Sequence, residues 1–297
     1  MNPPFMRKKT APRYRALAAL LLLLLTGLMM AMAAAPLESK QGGACVVFIN
    51  AGKADSTLIH VDNKVFLIDA GSKDSAPALL AALEAMGVSG IDGLFLTHTH
   101  SDHIGGLKAL VRAVPVERLY FADISLRNAK GEHKLVKQAE KFDLPYTLLQ
   151  AGDRVEAGGD AAFTVLGPLV LNEKDDNDNS LVLAIELGGR RFLFAGDMQF
   201  PEEVSLLESG IDVSAHVLRV GNHGNPDATS IRFAIAVSPE YAVISTNTEA
   251  APRSANDIVI ANLFPAKVFV TEGYALGIRV DISNEGDIRV SGLSNLQ

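Results

Sequence analysis

Four side chains able to bind a metal stand within six positions of this chain: His98, His100, Asp102 and His103, in the stretch GLFLTHTHSDHIGG at residues 93–106. Neutral imidazole nitrogen and carboxylate oxygen are the usual ligands of a catalytic transition metal. His98 and His100 are two apart, so an extended segment at a strand end can aim both at one ion. Asp102 and His103 follow closely enough to hold a second. Two metals about 3.5–4 Å apart can bind a bridging hydroxide and neutralise a developing oxyanion. The bland alternative is a polar loop with its histidines in solvent. A random loop, however, seldom packs His-x-His-x-Asp-His directly behind a buried strand.

The positioning elements read from periodicity. The apolar run at residues 94–96 predicts a buried strand feeding the cluster. Residues 104–114 predict a helix starting over the site and stopping before Pro115. Upstream, runs 46–49, 56–61 and 65–68 predict strands punctuated by Gly and Asn. Leu79, Leu80, Leu83 and Met86 have helical spacing over 76–86, with Gly87 to end the helix. Downstream, strands are predicted at 116–121, 146–149, 153–155, 162–166, 191–195 and 212–220. Residues 132–142 carry mixed charge and predict a surface helix with His133 facing solvent. Pro201 opens a helix to residue 209. The remainder predicts helix, strand, helix, strand, strand, strand at 231–237, 241–245, 256–264, 267–271, 277–282 and 287–290. No internal repeat is present.

Asp197 ends the 191–195 strand after Gly196, and a carboxylate there suits a bridging ligand. The lesser alternative is an Asp that caps the turn before Pro201. Asp69, just before Gly71, reads as a turn residue on local grounds. The acidic run 173–178 lacks the Gly and Glu of a calcium loop and reads as a solvated loop. His60 alternates within a strand and reads as structural. The single cysteine, Cys45, excludes an intrachain disulfide and lies in an apolar run as a small core residue.

The motif THTHSDH resembles the HxHxDH signature of the metallo-β-lactamase fold. That resemblance implies an αββα four-layer metallo-β-lactamase sandwich. It implies a hydrolase that activates water on one or two divalent ions, Zn²⁺ or Mn²⁺. His98 and His100 would hold one ion, and Asp102 and His103 the other, with Asp102 also able to accept the proton of water. A narrower likeness is to the DNA-uptake protein ComEC and its stand-alone relatives. FINAGKADSTLI resembles that group's F-hydrophobic-D-V-G-Q-G-D-A, with Asp55 as the last Asp and Asn50 in place of the first. LIDAG resembles LVDTG, which implies that Asp69 orients the metal loop from behind. RFLFAGD resembles FLLTGD and implies the bridging role for Asp197. NDNSLVL begins at Asn177. No histidine lies between His133 and His216, so Asp178 or Asn179 is left to approach the metals, or the first site is short of a ligand. GNHGNPDATS resembles the GHHGS loop of DVLKVGHHGS, which gives His223 a metal or transition-state role. Asn222 replaces the first His, and an amide can donate to an oxyanion but cannot serve as a general acid. Arg219 falls where the group has Lys, and His216 where it has Asp. The later loop VISTNTEAAP lacks the group's His and keeps Pro252. The likeness spans residues 44–290.

The N-terminus differs in kind. Arg7, Lys8, Lys9, Arg13 and Arg15 precede an almost wholly apolar run at 16–32, and Ala31-Met32-Ala33 fits a cleavage site. Residues 1–33 therefore read as a signal peptide, residues 34–43 as a linker and 44–297 as the metallo-β-lactamase-fold domain. An uncleaved membrane anchor over 16–35 is the alternative. The sequence places the protein outside the cytoplasm, periplasmic or secreted. Loss of the five basic groups takes the formal charge from −7 to −12. Such a surface does not favour strong nonspecific DNA binding, which depends on Lys and Arg. The expected partner is a small-molecule or nucleic-acid phosphodiester, and the expected activity that of a phosphodiesterase or nuclease. A β-lactamase- or lactonase-type hydrolase and a non-catalytic accessory protein on a decayed site are the competing expectations.

Overall fold

Alternation along each strand sends its side chains into two different cores, and that fixes the layering. The computed structural model describes residues 43–127 and 129–294, all within the unit Ser39–Gln297. Its strands, in chain order, are β1 (Ala44–Ile49), β2 (Thr57–Val61), β3 (Lys64–Ile68), β4 (Gly93–Leu96), β5 (Leu119–Ala122) and β6 (Tyr146–Leu149). They continue as β7 (Arg154–Gly158), β8 (Ala161–Gly167), β9 (Val182–Leu187), β10 (Arg190–Phe194) and β11 (Val217–Arg219). The last are β12 (Tyr241–Ile244), β13 (Lys267–Val270), β14 (Gly277–Ile282) and β15 (Ile288–Leu293). One sheet has the order β15-β14-β1-β2-β3-β4-β5-β6 and the other β13-β12-β11-β10-β9-β8-β7.

In β1, Val46 and Phe48 enter the core between the sheets, while Val47 and Ile49 face the outer side. In β10, Phe192 and Phe194 point to the central core and Leu193 to the outer one. Aromatic rings link the sheets, with Phe95 and Phe163 centroids 4.6 Å apart and Phe66 and Phe163 5.2 Å apart. Helices Ala76–Ala85, Leu107–Ala113 and Lys134–Phe142 cover the first sheet through Leu79, Leu83, Leu107, Leu110 and Leu135. Helices Phe200–Ser209, Ile231–Val237 and Asp257–Asn262 cover the second through Leu206, Phe233, Val237 and Val259. This is the αββα sandwich that the sequence resemblance implied.

Each sheet is antiparallel on one side and parallel on the other. The pairs β3–β4, β4–β5, β10–β11 and β11–β12 are all parallel. The carboxyl ends of parallel strands are where α/β sheets place ligands, and Asp69, Thr97, Asp197, Val220 and Ser245 all follow such ends.

Four local expectations are corrected. The helix predicted over 104–114 is two pieces, Ser101–Ile104 and Leu107–Ala113, broken at Gly105 and Gly106. The 212–220 strand shrinks to Val217–Arg219, because the Asp212 carboxylate instead accepts the Ser214 N–H in a local turn. The strand predicted over 116–121 starts only at Leu119, and Val116 makes an isolated bridge to Ile91. His133 does not face solvent: it is 4% exposed. Its Nε2–H donates to Ala122 O at 2.9 Å while Nδ1 accepts the N–H groups of Leu135 and Val136, capping the helix Lys134–Phe142. The signal-peptide or anchor segment lies outside the described residues, as does the linker except Gly43. Among the described residues no helix is long and apolar enough to cross a membrane.

Candidate metal centre

The cluster is set by backbone stitched to backbone. After β3, Asp69 takes a positive φ of 59°, which turns the chain under the histidine loop. Ala70 N–H then donates to His103 O at 2.7 Å, and Gly106 N–H to Gly71 O at 3.0 Å. The turn passes so close that a Cβ on Gly106 would collide with the Ala70 carbonyl, and one on Gly105 with Ser101 O and Lys73 N. Glycines at both positions are what permit this approach.

Three buried imidazoles are held by their Nδ1 atoms. His103 Nδ1 lies 2.7 Å from Asp69 Oδ2, and His223 Nδ1 2.9 Å from Ser245 O. His98 Nδ1 lies 3.0 Å from Thr97 Oγ1. The Thr97 hydroxyl gives its own hydrogen to Asp69 Oδ2 at 2.7 Å, so it accepts from His98. Each Nδ1 is thereby a donor, and in the neutral ring each Nε2 carries a lone pair. None of the three Nε2 atoms has a hydrogen-bond partner. All three face one oxygen: Asp197 Oδ2 is 3.1 Å from His103 Nε2, 3.3 Å from His223 Nε2 and 4.0 Å from His98 Nε2. Asp102 Oδ2 joins at 3.6 Å from His223 Nε2. The Asp197 backbone N–H is fixed by donating to Ser180 Oγ at 3.0 Å.

Unpartnered buried polar atoms are costly, and imidazoles anchored through one nitrogen with the other left free are the usual form of a metal-binding histidine. Donor atoms of Asp55, His103, Asp197 and His223 all lie within 4.8 Å of one another. The set is nitrogen and oxygen only, which suits a divalent first-row metal. The residues present fit such an ion.

Charge is balanced tightly here. Burial and the neighbouring His103 pull His98 down to about 3, so it is neutral at ordinary pH. Burial also pushes His103 and His223 down, but Asp197 overcomes it and raises both above the ordinary histidine value. Asp197 is buried, which would raise its pKa, yet His103 and His223 draw it well below the carboxylate range. For Asp102 burial is likewise outweighed, by the contact with His223 and the charge of His103, and it too is drawn down.

The other sequence candidates fall around this cluster. Asp69 accepts Thr97 N–H and Thr97 Oγ1–H as well as His103, beneath the histidine loop. His100 is exposed, its ring centroid 4.6 Å from that of His98. The Asn222 amide is engaged within its own loop, donating to Asp227 Oδ1 at 2.9 Å and accepting from Asn225. Asp178 accepts Gln199 N–H and Asn172 Nδ2, tying its loop to the segment after Asp197. Asn179 bonds to Asn172 and Asp176.

Three residues had no role assigned from sequence. Asp176 accepts both the N–H and the hydroxyl of Thr99, between His98 and His100. Its only sequence signal was an acidic loop. Lys53 places Nζ 3.3 Å from Asp102 Oδ2 at the mouth of the cluster. Arg219 is 3% exposed and pairs with Asp55.

Comparison with known proteins agrees with this geometry. A family model described as the metallo-beta-lactamase superfamily matches residues 49–248. ComE operon protein 3 of Bacillus subtilis (strain 168) is 30% identical over 219 residues, which cover 67% of this chain and 28% of that protein. Competence protein ComA of Neisseria gonorrhoeae is 33% identical over 205 residues, covering 68% of this chain and 27% of that one. The matched part is thus little more than a quarter of either relative. The crystal structure of the metallo-beta-lactamase fold protein YhfI from Bacillus subtilis superposes with a TM-score of 0.52 at 14% identity, over 84% of this chain and 100% of that one. At that identity the likeness speaks for the fold alone.

Proposed function

The chain belongs to the metallo-beta-lactamase superfamily, and on that premise we propose that it is an exported metal-dependent hydrolase acting on phosphodiesters. One observation carries the reading: three buried, unpartnered Nε2 atoms face a single carboxylate oxygen. His98, His103, His223 and Asp197 would hold the ion, with Asp102 adding a carboxylate from the more open side. A divalent ion at such a centre supplies Lewis acidity and lowers the pKa of water to near neutral. Asp69, Thr97 and Ser245 keep the three rings in the tautomer that leaves Nε2 free.

Asp102 is the group placed to accept a proton, since it alone of the cluster's carboxylates is partly open, at 21% side-chain exposure. Lys53 beside it, 44% exposed, offers an ammonium to an anionic substrate. That cation suits an anionic phosphodiester better than a neutral lactone. A formal charge of −12 after cleavage argues against a long nucleic-acid footprint and for recognition of one or a few phosphodiester groups.

The test is turnover of bis-p-nitrophenyl phosphate, DNA and RNA by the purified chain with Zn²⁺ or Mn²⁺. Activity abolished by Asp197→Ala supports the proposal. Inactivity on all three, or efficient hydrolysis of nitrocefin instead, would sink it. A second reading, as a non-catalytic binding protein, draws on Asn222, whose amide is committed to Asp227 and Asn225. Metal-dependent turnover by the wild type would remove that reading. Export rests on the N-terminal pattern, and a mature N-terminus found after Ala33 would support it.

A further inference from the structure

Arg219 closes β11 on the second sheet, and Asp55 sits in the loop between β1 and β2 on the first. The guanidinium and carboxylate meet as a two-pronged pair: Arg219 Nε donates to Asp55 Oδ1 at 3.1 Å, and Nη2 meets Oδ2. Nη1 donates to Gly196 O and, at 2.8 Å, to Val220 O. It also lies 3.7 Å from Asp197 Oδ1, a buried oxygen with no hydrogen-bond partner. Asp55 is in turn fixed to the histidine side. Its N–H donates to Asp102 O at 3.0 Å, and its carbonyl accepts from Gly71 N–H at 2.8 Å.

Asp55 Oδ2 approaches His103 and His223 on their Nδ1 edges, at 4.0 and 3.9 Å. Those nitrogens are already spent on Asp69 and Ser245. Asp55 Oδ1 accepts from Arg219 Nε, and Oδ2 lies against Nη2. The carboxylate therefore meets both rings on the side away from their free Nε2 atoms.

A buried ion pair is a poor source of stability, because desolvation consumes most of the attraction. Its value lies in geometry, and the fork is the side chain best suited to fix it. We propose that Asp55 and Arg219 form a brace between the two sheets that, through the Gly196 and Val220 carbonyls, fixes the turn presenting Asp197 to the metal. The brace is a positioning device, and it rests on the reading of the cluster as a metal centre.

The test compares the full chain with Arg219→Met/Asp55→Leu, which removes both charges together and strands neither, and with Arg219→Lys. Readouts are affinity for Zn²⁺ by chelator competition and the visible spectrum of the Co²⁺-loaded protein, which reports coordination geometry. The double variant is expected to stay folded and to bind about 10–100-fold more weakly, as loss of ligand-orienting partners does, with an altered Co²⁺ spectrum. Arg219→Lys is expected to fall between it and the wild type, because an ammonium cannot hold Asp55, Gly196 and Val220 at once. A folded double variant with wild-type affinity and spectrum overturns the brace. Should that variant not fold, Arg219→Lys indistinguishable from wild type overturns it instead. A wild-type chain that takes no metal would overturn the metal-centre reading, and the brace with it. Normal wild-type binding with unaffected variants would overturn the brace alone.

Discussion

At the scale of single residues, protonation and metal binding oppose each other at the same atoms. His103 and His223 carry raised pKa values because Asp197 faces them, and a ligating imidazole must release its Nε2 proton. Zinc affinity is expected to fall as pH falls, with protons released on binding. Calorimetric titration in buffers of different ionisation enthalpy measures that release. The stability of the metal-free chain follows with a definite sign. A histidine raised on folding contributes fully below its unfolded value, and the contribution disappears as pH rises through the raised folded value. Asp197, drawn down, contributes above the unfolded carboxylate value and loses this as pH falls through its depressed one. With chelator present, Tm is expected to decline on the alkaline side of the raised imidazoles, and Asp197→Asn is expected to flatten that decline. An alkaline Tm profile unchanged by Asp197→Asn would refute the linkage. Much of this chemistry was legible in sequence, because the ligand types of His98, Asp102 and His103 sit together behind a strand. The Arg219–Asp55 pair was not, since its members are 164 residues apart and meet only when the sheets stack. His133 misled because it lies among charged residues, and only the fold shows that its ring caps a helix.

At the scale of elements, two short segments set the positions of the ligands. The Gly105-Gly106 break lets the histidine loop lie against the Asp69 turn, and Gly106→Ala forces a Cβ onto the Ala70 carbonyl. Overpacking of this kind costs about 1–3 kcal/mol, so Gly106→Ala is expected to lower the denaturant midpoint and weaken metal binding together. Periodicity predicted one continuous helix here, because glycine alone does not reveal that another backbone passes beside it. The helix Phe200–Ser209 leaves the Asp197 loop with Glu202 buried and both its carboxylate oxygens unpartnered. Burial, with Asp178 and Glu203 nearby, raises its pKa well above the ordinary value. Below the ordinary glutamate value both states hold the proton and no penalty exists. As pH rises, the unfolded chain ionises first, and stability erodes until the folded group ionises too. Glu202→Gln is therefore expected to match wild type near about pH 4 and to exceed it above neutral. Urea unfolding at the two pH values decides this, and equal stabilities at both would contradict it.

For the molecule as a whole, the two sheets must hold their register for ligands from β4, β10 and β11 to converge. Phe163 lies between Phe66 and Phe95 in the central core. Phe163→Ala is expected to cost about 3–5 kcal/mol, seen as a lowered urea midpoint. The strand alternation made this architecture legible, since residues such as Phe48 and Ile49 are apolar on both faces and demand cover on both. The resemblance also implied that Asp197 and His223 of the second half join the histidine loop of the first, and the distances around Asp197 Oδ2 came from the fold. The proposed hydrolysis and the Arg219–Asp55 brace both depend on the cluster around Asp197 Oδ2 holding a metal. The most direct measurement is the metal content of the purified full chain, by mass spectrometry after gel filtration, for wild type and for His103→Ala/His223→Ala. The account predicts at least one divalent ion per wild-type chain, lost in a double variant that keeps wild-type circular dichroism. A folded wild-type chain that retains no ion after resupply with Zn²⁺ and Mn²⁺ would contradict it.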